Sequence, residues 1–209
     1  MERGIGVKNL IINKAMNNIK NNCTYDEIKF AEIKYGLESL YLFITKTIVI
    51  LLLAYLLGLF KELILVLLFY SLLRATGFGV HAIKSWHCWV SSIIIFIGVP
   101  TLIKLFVIPT SLMIGISIFC TLIIFKYAPA DTEKRPIISK KRRKIYKIIC
   151  TSTSILYVLG IIFIPSTYLA SILMYSIVLE TFMILPYTYK MFGVKYDNYK
   201  TYLKSKNIQ

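Results

Sequence analysis

Residues 40–60 read LYLFITKTIVILLLAYLLGLF, with Lys46 as the single charge. A run of this length and apolarity matches the hydrocarbon core of a bilayer when coiled as a helix. Further apolar runs follow: 63–73 (LILVLLFYSLL), 89–108, 110–125 (TSLMIGISIFCTLIIF), 148–164 and 167–186. The run 63–73 is short. It is either a thin span extended by the polar residues after it or a re-entrant segment. Lys61 and Glu62 are expected to form a very short turn, Pro100 to kink or end its run, and Pro165 with Ser166 to join the last two spans. With 57% hydrophobic residues in 209, the chain reads as an all-α polytopic membrane protein rather than a soluble domain. About six transmembrane or membrane-embedded helices are expected.

Charge tests the topology. Residues 1–39, 74–88, 126–147 and 187–209 hold 22 of the 25 lysines and arginines. Six crossings place all four segments, and both termini, on the cytosolic side. A four-span variant with one hairpin dipping in and out keeps the same sidedness. The net charge of +15 would suggest nucleic acid in a soluble protein. Here the cations flank apolar runs, where they set topology and meet anionic lipid head groups, so no nucleic-acid partner is expected. The expected organisation is 1–39 as amphipathic cytosolic or interfacial helices, 40–186 as a bundle with a basic loop at 126–147, and 187–209 as a basic tail. Within 1–39, Val7, Leu10, Ile11, Ala15 and Asn18 follow helical spacing. Thr24 and Glu27 form a capping box for a second helix. No secretory signal is read there, so insertion is expected to start from the first internal span.

One polar break stands out. Residues 74–88, RATGFGVHAIKSWHC, hold both histidines of the chain, His81 and His87, and one of its four cysteines, Cys88. A thiol and an imidazole at the edge of a span suggest a nucleophile and its base. A thiol attacks a carbonyl only as thiolate, and burial opposes that form, so an adjacent base is required. His81 is one candidate, since imidazole titrates near neutral pH, and His87 is its rival. Seven residues separate His81 from Cys88, about 10.5 Å along a straight helix. Proton transfer needs about 3 Å, so the segment must bend or break, and Gly77 and Gly79 allow an irregular backbone. On the residues alone, Cys88 is equally a small buried hydrophobe and the histidines interfacial groups. Zinc fits poorly, because the fourth ligand and the usual spacing are missing. The other cysteines, Cys23, Cys120 and Cys150, show no pairing pattern that would imply disulfides.

Arg74 is a candidate oxyanion donor, as are Ser85 and the backbone N–H groups near Cys88; Arg74 equally suits a substrate carboxylate or a lipid phosphate. Lys84 is a topology charge or an influence on the thiol. In YAPADTEKRPI, residues 127–137, Asp131, Thr132 and Glu133 either begin a helix, or Asp131 or Glu133 orients His81 in a triad-like arrangement. The run Lys140–Lys144 reads as a solvated, lipid-facing cluster. Glu180, deep in the last span, is a functional hint by its position and is expected to pair with Lys46, Lys104 or a tyrosine. A small exporter, with Glu180, Lys46 and Lys104 lining a path, is a second reading of the same residues.

The stretch 74–88 resembles the signature of the AgrB family, the accessory gene regulator B endopeptidases of Gram-positive bacteria. The resemblance rests on Arg74, Gly79, His81, Ala82, Lys84, Ser85 and Cys88. The block 127–137 resembles a second family motif, and the order of spans and the basic loop agree. The resemblance implies a membrane cysteine endopeptidase acting on an AgrD-type quorum-sensing propeptide. Cys88 would be the nucleophile and His81 the general base, with no metal or cofactor. The cut peptide would stay on Cys88 as a thioester until an internal cysteine or serine closes a thiolactone or lactone ring. Anionic lipids are expected partners, and a homodimer suits a bundle this small.

Overall fold

The computed structural model describes residues 3–23, 26–80, 85–132, 137–200 and 203, with the backbone alone for 85–88. Among these residues the chain forms nine α-helices and divides into two compact units, 1–53 and 54–209.

In the first unit, α1 (Arg3–Asn22) precedes α2 (Glu27–Leu56). The amphipathic stretch after residue 27 and the span that follows it are one continuous helix, since no proline lies between them and the single glycine, Gly36, is tolerated. The capping box expected at Thr24 lies outside the described residues. Asp26 caps α2 instead, its Oδ1 accepting the Lys29 N–H at 3.0 Å. Lys8 and Glu38 form a half-exposed ion pair between the two helices at 3.1 Å.

The second unit begins with the end of α2. Gly58, at φ +66°, turns the chain, and the Leu59 N–H reaches back to the Ala54 carbonyl at 2.8 Å. The turn therefore lies before Lys61 and Glu62, which belong to the first turn of α3 (Phe60–Gly77). An acid in the first turn and Arg74 in the last suit the helix dipole. After the break come α4 (Ser85–Ile93), a π-helical turn (Ile94–Gly98) and α5 (Val99–Leu105). Pro100 does not end this run. It sits in the first turn of α5, where its missing N–H is tolerated, and the π turn absorbs the mismatch. Then follow α6 (Thr110–Tyr127), α7 (Lys140–Phe163), α8 (Thr167–Ile184) and α9 (Pro186–Met191). Helix α7 starts eight residues earlier than its apolar run, because Ser139 caps it and lysines and arginines are good helix formers.

Among the described residues, four helical stretches are long and apolar enough to cross a membrane: Lys29–Leu56, Thr110–Tyr127, Lys140–Phe163 and Thr167–Ile184. A shorter apolar helix runs over Trp89–Leu105. Helix α8 is the hub, packed against α3, α6 and α7, with 67% of its residues buried. Three of its hydroxyls are satisfied by its own turns: Ser171 donates to the Thr167 carbonyl at 2.9 Å, Ser176 to Ile172 at 2.8 Å, and Thr181 to Ile177 at 2.8 Å. Between helices, Thr121 and Ser154 hydroxyls meet at 2.6 Å, and Tyr157 donates to the Phe69 carbonyl at 2.9 Å. Such bonds and close small-residue contacts hold helices together where lipid tails offer no hydrophobic drive.

With α4, the π turn and α5 taken as one run, the helices from α3 to α8 alternate in direction. At one end Lys104 donates to the Gly58 carbonyl at 3.1 Å, and Lys61 lies over the Tyr168 ring. That end gathers the starts of α3 and α8 and the close of α5. At the other end the C-termini of α3, α6 and α8 meet, and the candidate site lies there.

Candidate active site

Helix α3 stops at Gly77, and the next two residues take positive φ, Phe78 at 61° and Gly79 at 104°. The backbone then runs across the bundle end. The Gly79 N–H donates to the Ala130 carbonyl at 2.8 Å, and the Ala130 N–H donates to the Gly77 carbonyl at 2.9 Å. These bonds make a one-residue parallel bridge between Phe78 and Ala130. The Val80 N–H donates to the Met183 carbonyl, at the end of α8, at 3.0 Å. Residue 79 must be glycine on two counts. Its φ strains any side chain, and a Cβ there would lie 2.6 Å from the Met183 carbonyl oxygen.

Arg74, in the last turn of α3, folds its guanidinium over this turn. It donates to the Phe78 carbonyl and, at 2.7 Å, to the Val80 carbonyl. The two residues bracketing Gly79 are thus held by one side chain. Arg74 and Gly79 are brought together by the structure. His81 and Lys84 lie outside the described residues, as does Glu133. Ser85 is the first residue of α4, and Cys88 falls in that helix's first turn.

Asp131 does not begin a helix. Its carboxylate is 1% exposed and accepts three N–H donors, Asn198 at 3.1 Å, Tyr199 at 2.9 Å and Ile137 at 3.3 Å, with Arg143 in an ion pair at 3.6 Å. Burial pushes this carboxyl above its ordinary range, and the N–H donors with Arg143 pull against that shift. Arg143, from the run expected to face lipid, instead turns inward, stacking at 3.6 Å on the Tyr199 ring. The buried Tyr189 hydroxyl is shared between the Ala130 and Asp131 carbonyls, at 3.1 and 2.9 Å. Segment 186–199 is therefore folded onto the 127–132 loop, which contains the cis Ala128–Pro129 peptide. Sequence reasoning missed Tyr189, Asn198 and Tyr199, and the tyrosine-rich tail was the one signal pointing to them.

Glu180 sits one turn before Met183 on α8, fully buried. Its carboxyl rests on Gly77 and beside the Cys150 thiol, and neither oxygen has a hydrogen-bond partner among the described residues. Lys104 is not its partner. Lys104 is held at Gly58, in the turn before α3, at the opposite end of that helix from Gly77 and roughly 25 Å away along its axis. Lys46 belongs to the other unit. Nearby, a cavity of about 440 Å³ opens between Val90, Ser91 and Ile94 on one side and Phe182, Met183 and Phe192 on the other. Its lining is almost wholly apolar. Among the described residues no three His, Cys, Asp or Glu side chains cluster as metal ligands would.

A helical bundle of this kind, with four helices long and apolar enough to cross a membrane among the described residues, defines a polytopic membrane protein. The comparisons with known proteins say which. The family model for accessory gene regulator B matches residues 12–184. A putative AgrB-like protein of Clostridium acetobutylicum is 32% identical over 172 residues, 82% of each chain. One from Listeria innocua is 30% identical, covering 85% of this chain and 87% of its own. Accessory gene regulator protein B of Staphylococcus aureus is 31% identical over 78% of this chain and 87% of its own. No solved structure matches. The chain belongs to the AgrB family.

Proposed function

We propose that this protein is a membrane cysteine endopeptidase that cuts an AgrD-type quorum-sensing propeptide and cyclises the retained fragment. The observation carrying this reading is the family match through residues 12–184, which takes in the 74–88 stretch and the 127–137 block. In this reading Cys88 is the nucleophile and His81 its base. The thiolate attacks the scissile carbonyl, the leaving amine takes the proton from the imidazolium, and the peptide remains as a thioester. An internal thiol or hydroxyl then attacks that thioester, its proton passes to the base, and Cys88 departs as thiolate. Ring closure outruns hydrolysis if water is excluded and the internal nucleophile is held close.

Three features support the placement. The N–H groups in the first turn of α4 have no intrahelical acceptor, so they favour a thiolate at Cys88 and supply donors for the oxyanion. Arg74 fixes the backbone entering residue 81, and Ser85 opens the helix that carries Cys88. The apolar cavity beside Val90 and Ser91 offers a dry seat for the peptide's apolar side chains. Lys84 and Glu133 are candidates for a supporting or substrate-binding role. Six crossings, with the site on the cytosolic side where thiols stay reduced, agree with the charge distribution and with the alternating helix directions. Anionic lipids would contact the basic segments, and the working form is a homodimer. Residues 1–39 would be the interfacial segment, 40–186 the catalytic bundle and 187–209 the tail.

The test is co-expression with an AgrD-type propeptide. Cys88→Ala and His81→Ala should each abolish cleavage while the protein still inserts, and a thioester adduct should be trapped on Cys88. Cleavage by Cys88→Ala would remove the reading.

A further inference from the structure

An unpaired carboxyl is the most expensive side chain to bury, and Glu180 has no hydrogen-bond partner among the described residues. Its surroundings say what it is held against. A Cβ on Gly77 would collide with Oε1 and lie 2.9 Å from the carboxyl carbon. The Glu180 carboxyl therefore occupies the space that a side chain at residue 77 would fill. Two residues on, the Arg74 guanidinium occupies the corresponding space at Gly79, and Arg74 is the cation within electrostatic range of Glu180. The turn 77–80 thus lies between an acid seated on its first glycine and a base seated on its second. Its exit is pinned to Met183, one helical turn from Glu180. Other polar groups near the acid are Tyr70 on α3, the Cys150 thiol on α7 and Tyr189 on α9.

The geometry points to Glu180 as a positioning residue for the reactive stretch. It is the counter-charge and wedge that, with Arg74, sets the path of residues 77–80 and so the approach of the base at residue 81 to Cys88. It touches no substrate and acts through Arg74 and the turn. This role rests on the peptidase reading above.

The test uses the full chain in phosphatidylglycerol-containing liposomes. The probe is iodoacetamide, and the alkylation rate at each cysteine is read by peptide mass spectrometry across pH. Glu180→Gln should slow Cys88 about tenfold at pH 7 and move its profile about one unit toward that of a free thiol. The buried Cys120 and Cys150 should stay as slow as before. Gly77→Ala should slow Cys88 likewise, and shortening the acid in the same chain, Glu180→Asp, should restore it. The proposal is overturned if Glu180→Gln keeps the unaltered Cys88 profile while His81→Ala shifts it, in which case the peptidase reading stands. If neither variant shifts the profile, both fall. Faster labelling of Cys120 and Cys150 in Glu180→Gln would mean general loosening and would also overturn it.

Discussion

Two carboxyl groups are buried near the same end of the bundle and are treated in opposite ways. Asp131 has three backbone N–H donors and an arginine at 3.6 Å; Glu180 has no hydrogen-bond donor among the described residues, only Arg74 within electrostatic range. A buried acid with a full set of donors is a fastener. Here it ties residues 137, 198 and 199 to the loop after α6. A buried acid without donors weakens the fold and must be kept for another reason. The difference separates what holds the site together from what tunes it.

The largest effect expected from breaking that contrast is at the fastener. Asp131→Ala leaves three N–H groups without their acceptor and Arg143 without its counter-charge, a loss of about 3–5 kcal/mol. In detergent the unfolding midpoint should fall by roughly 10 °C, and segment 186–199 should become open to protease. A midpoint within a degree or two of the unaltered chain would show that the tail is not held through Asp131.

How far these two acids were legible in the sequence differs for a physical reason. Glu180 announced itself, because an acid within an apolar run is conspicuous. Its seat did not, since Gly77 offers contact only by lacking a side chain. Asp131 was read as a helix start or a triad member because its partners are backbone N–H groups, which carry no residue identity. The spans were legible from length and apolarity, but their ends were not. The sequence reading places Lys61, Glu62 and Lys140–Lys147 in turns or loops, and all lie in helix, because charged residues extend a helix nearly as readily as apolar ones. Gly79 was legible as a point of backbone freedom. Its second constraint, the Met183 carbonyl, comes from a helix more than a hundred residues later.

The contrast is sharpened from the other side by Glu180→Met. Removing an orphan carboxyl relieves about 1–3 kcal/mol. Arg74 loses its counter-charge, but it is partly exposed and keeps two carbonyl acceptors. The net expectation is an unfolding midpoint unchanged or raised by a few degrees, with slowed Cys88. A variant as unstable as Asp131→Ala would make Glu180 a second fastener and erase the distinction.

The smallest expected effect is a pH dependence at Asp131. Its folded carboxyl lies above the ordinary value of 3.8, with burial as the main cause. The folded state therefore holds this proton more tightly than the unfolded chain. The group's contribution is most favourable below pH 3.8 and declines as pH rises through the window up to the folded value, after which it is flat. Arg143 is one of the influences pulling that value down. Arg143→Gln should raise it further, widen the window and deepen the decline in stability between acidic and neutral pH. Unfolding midpoints of the two proteins compared from pH 4 to pH 7 should diverge as pH rises. Parallel curves would mean that the three N–H donors alone set the carboxyl, and that Arg143 serves only to stack on Tyr199.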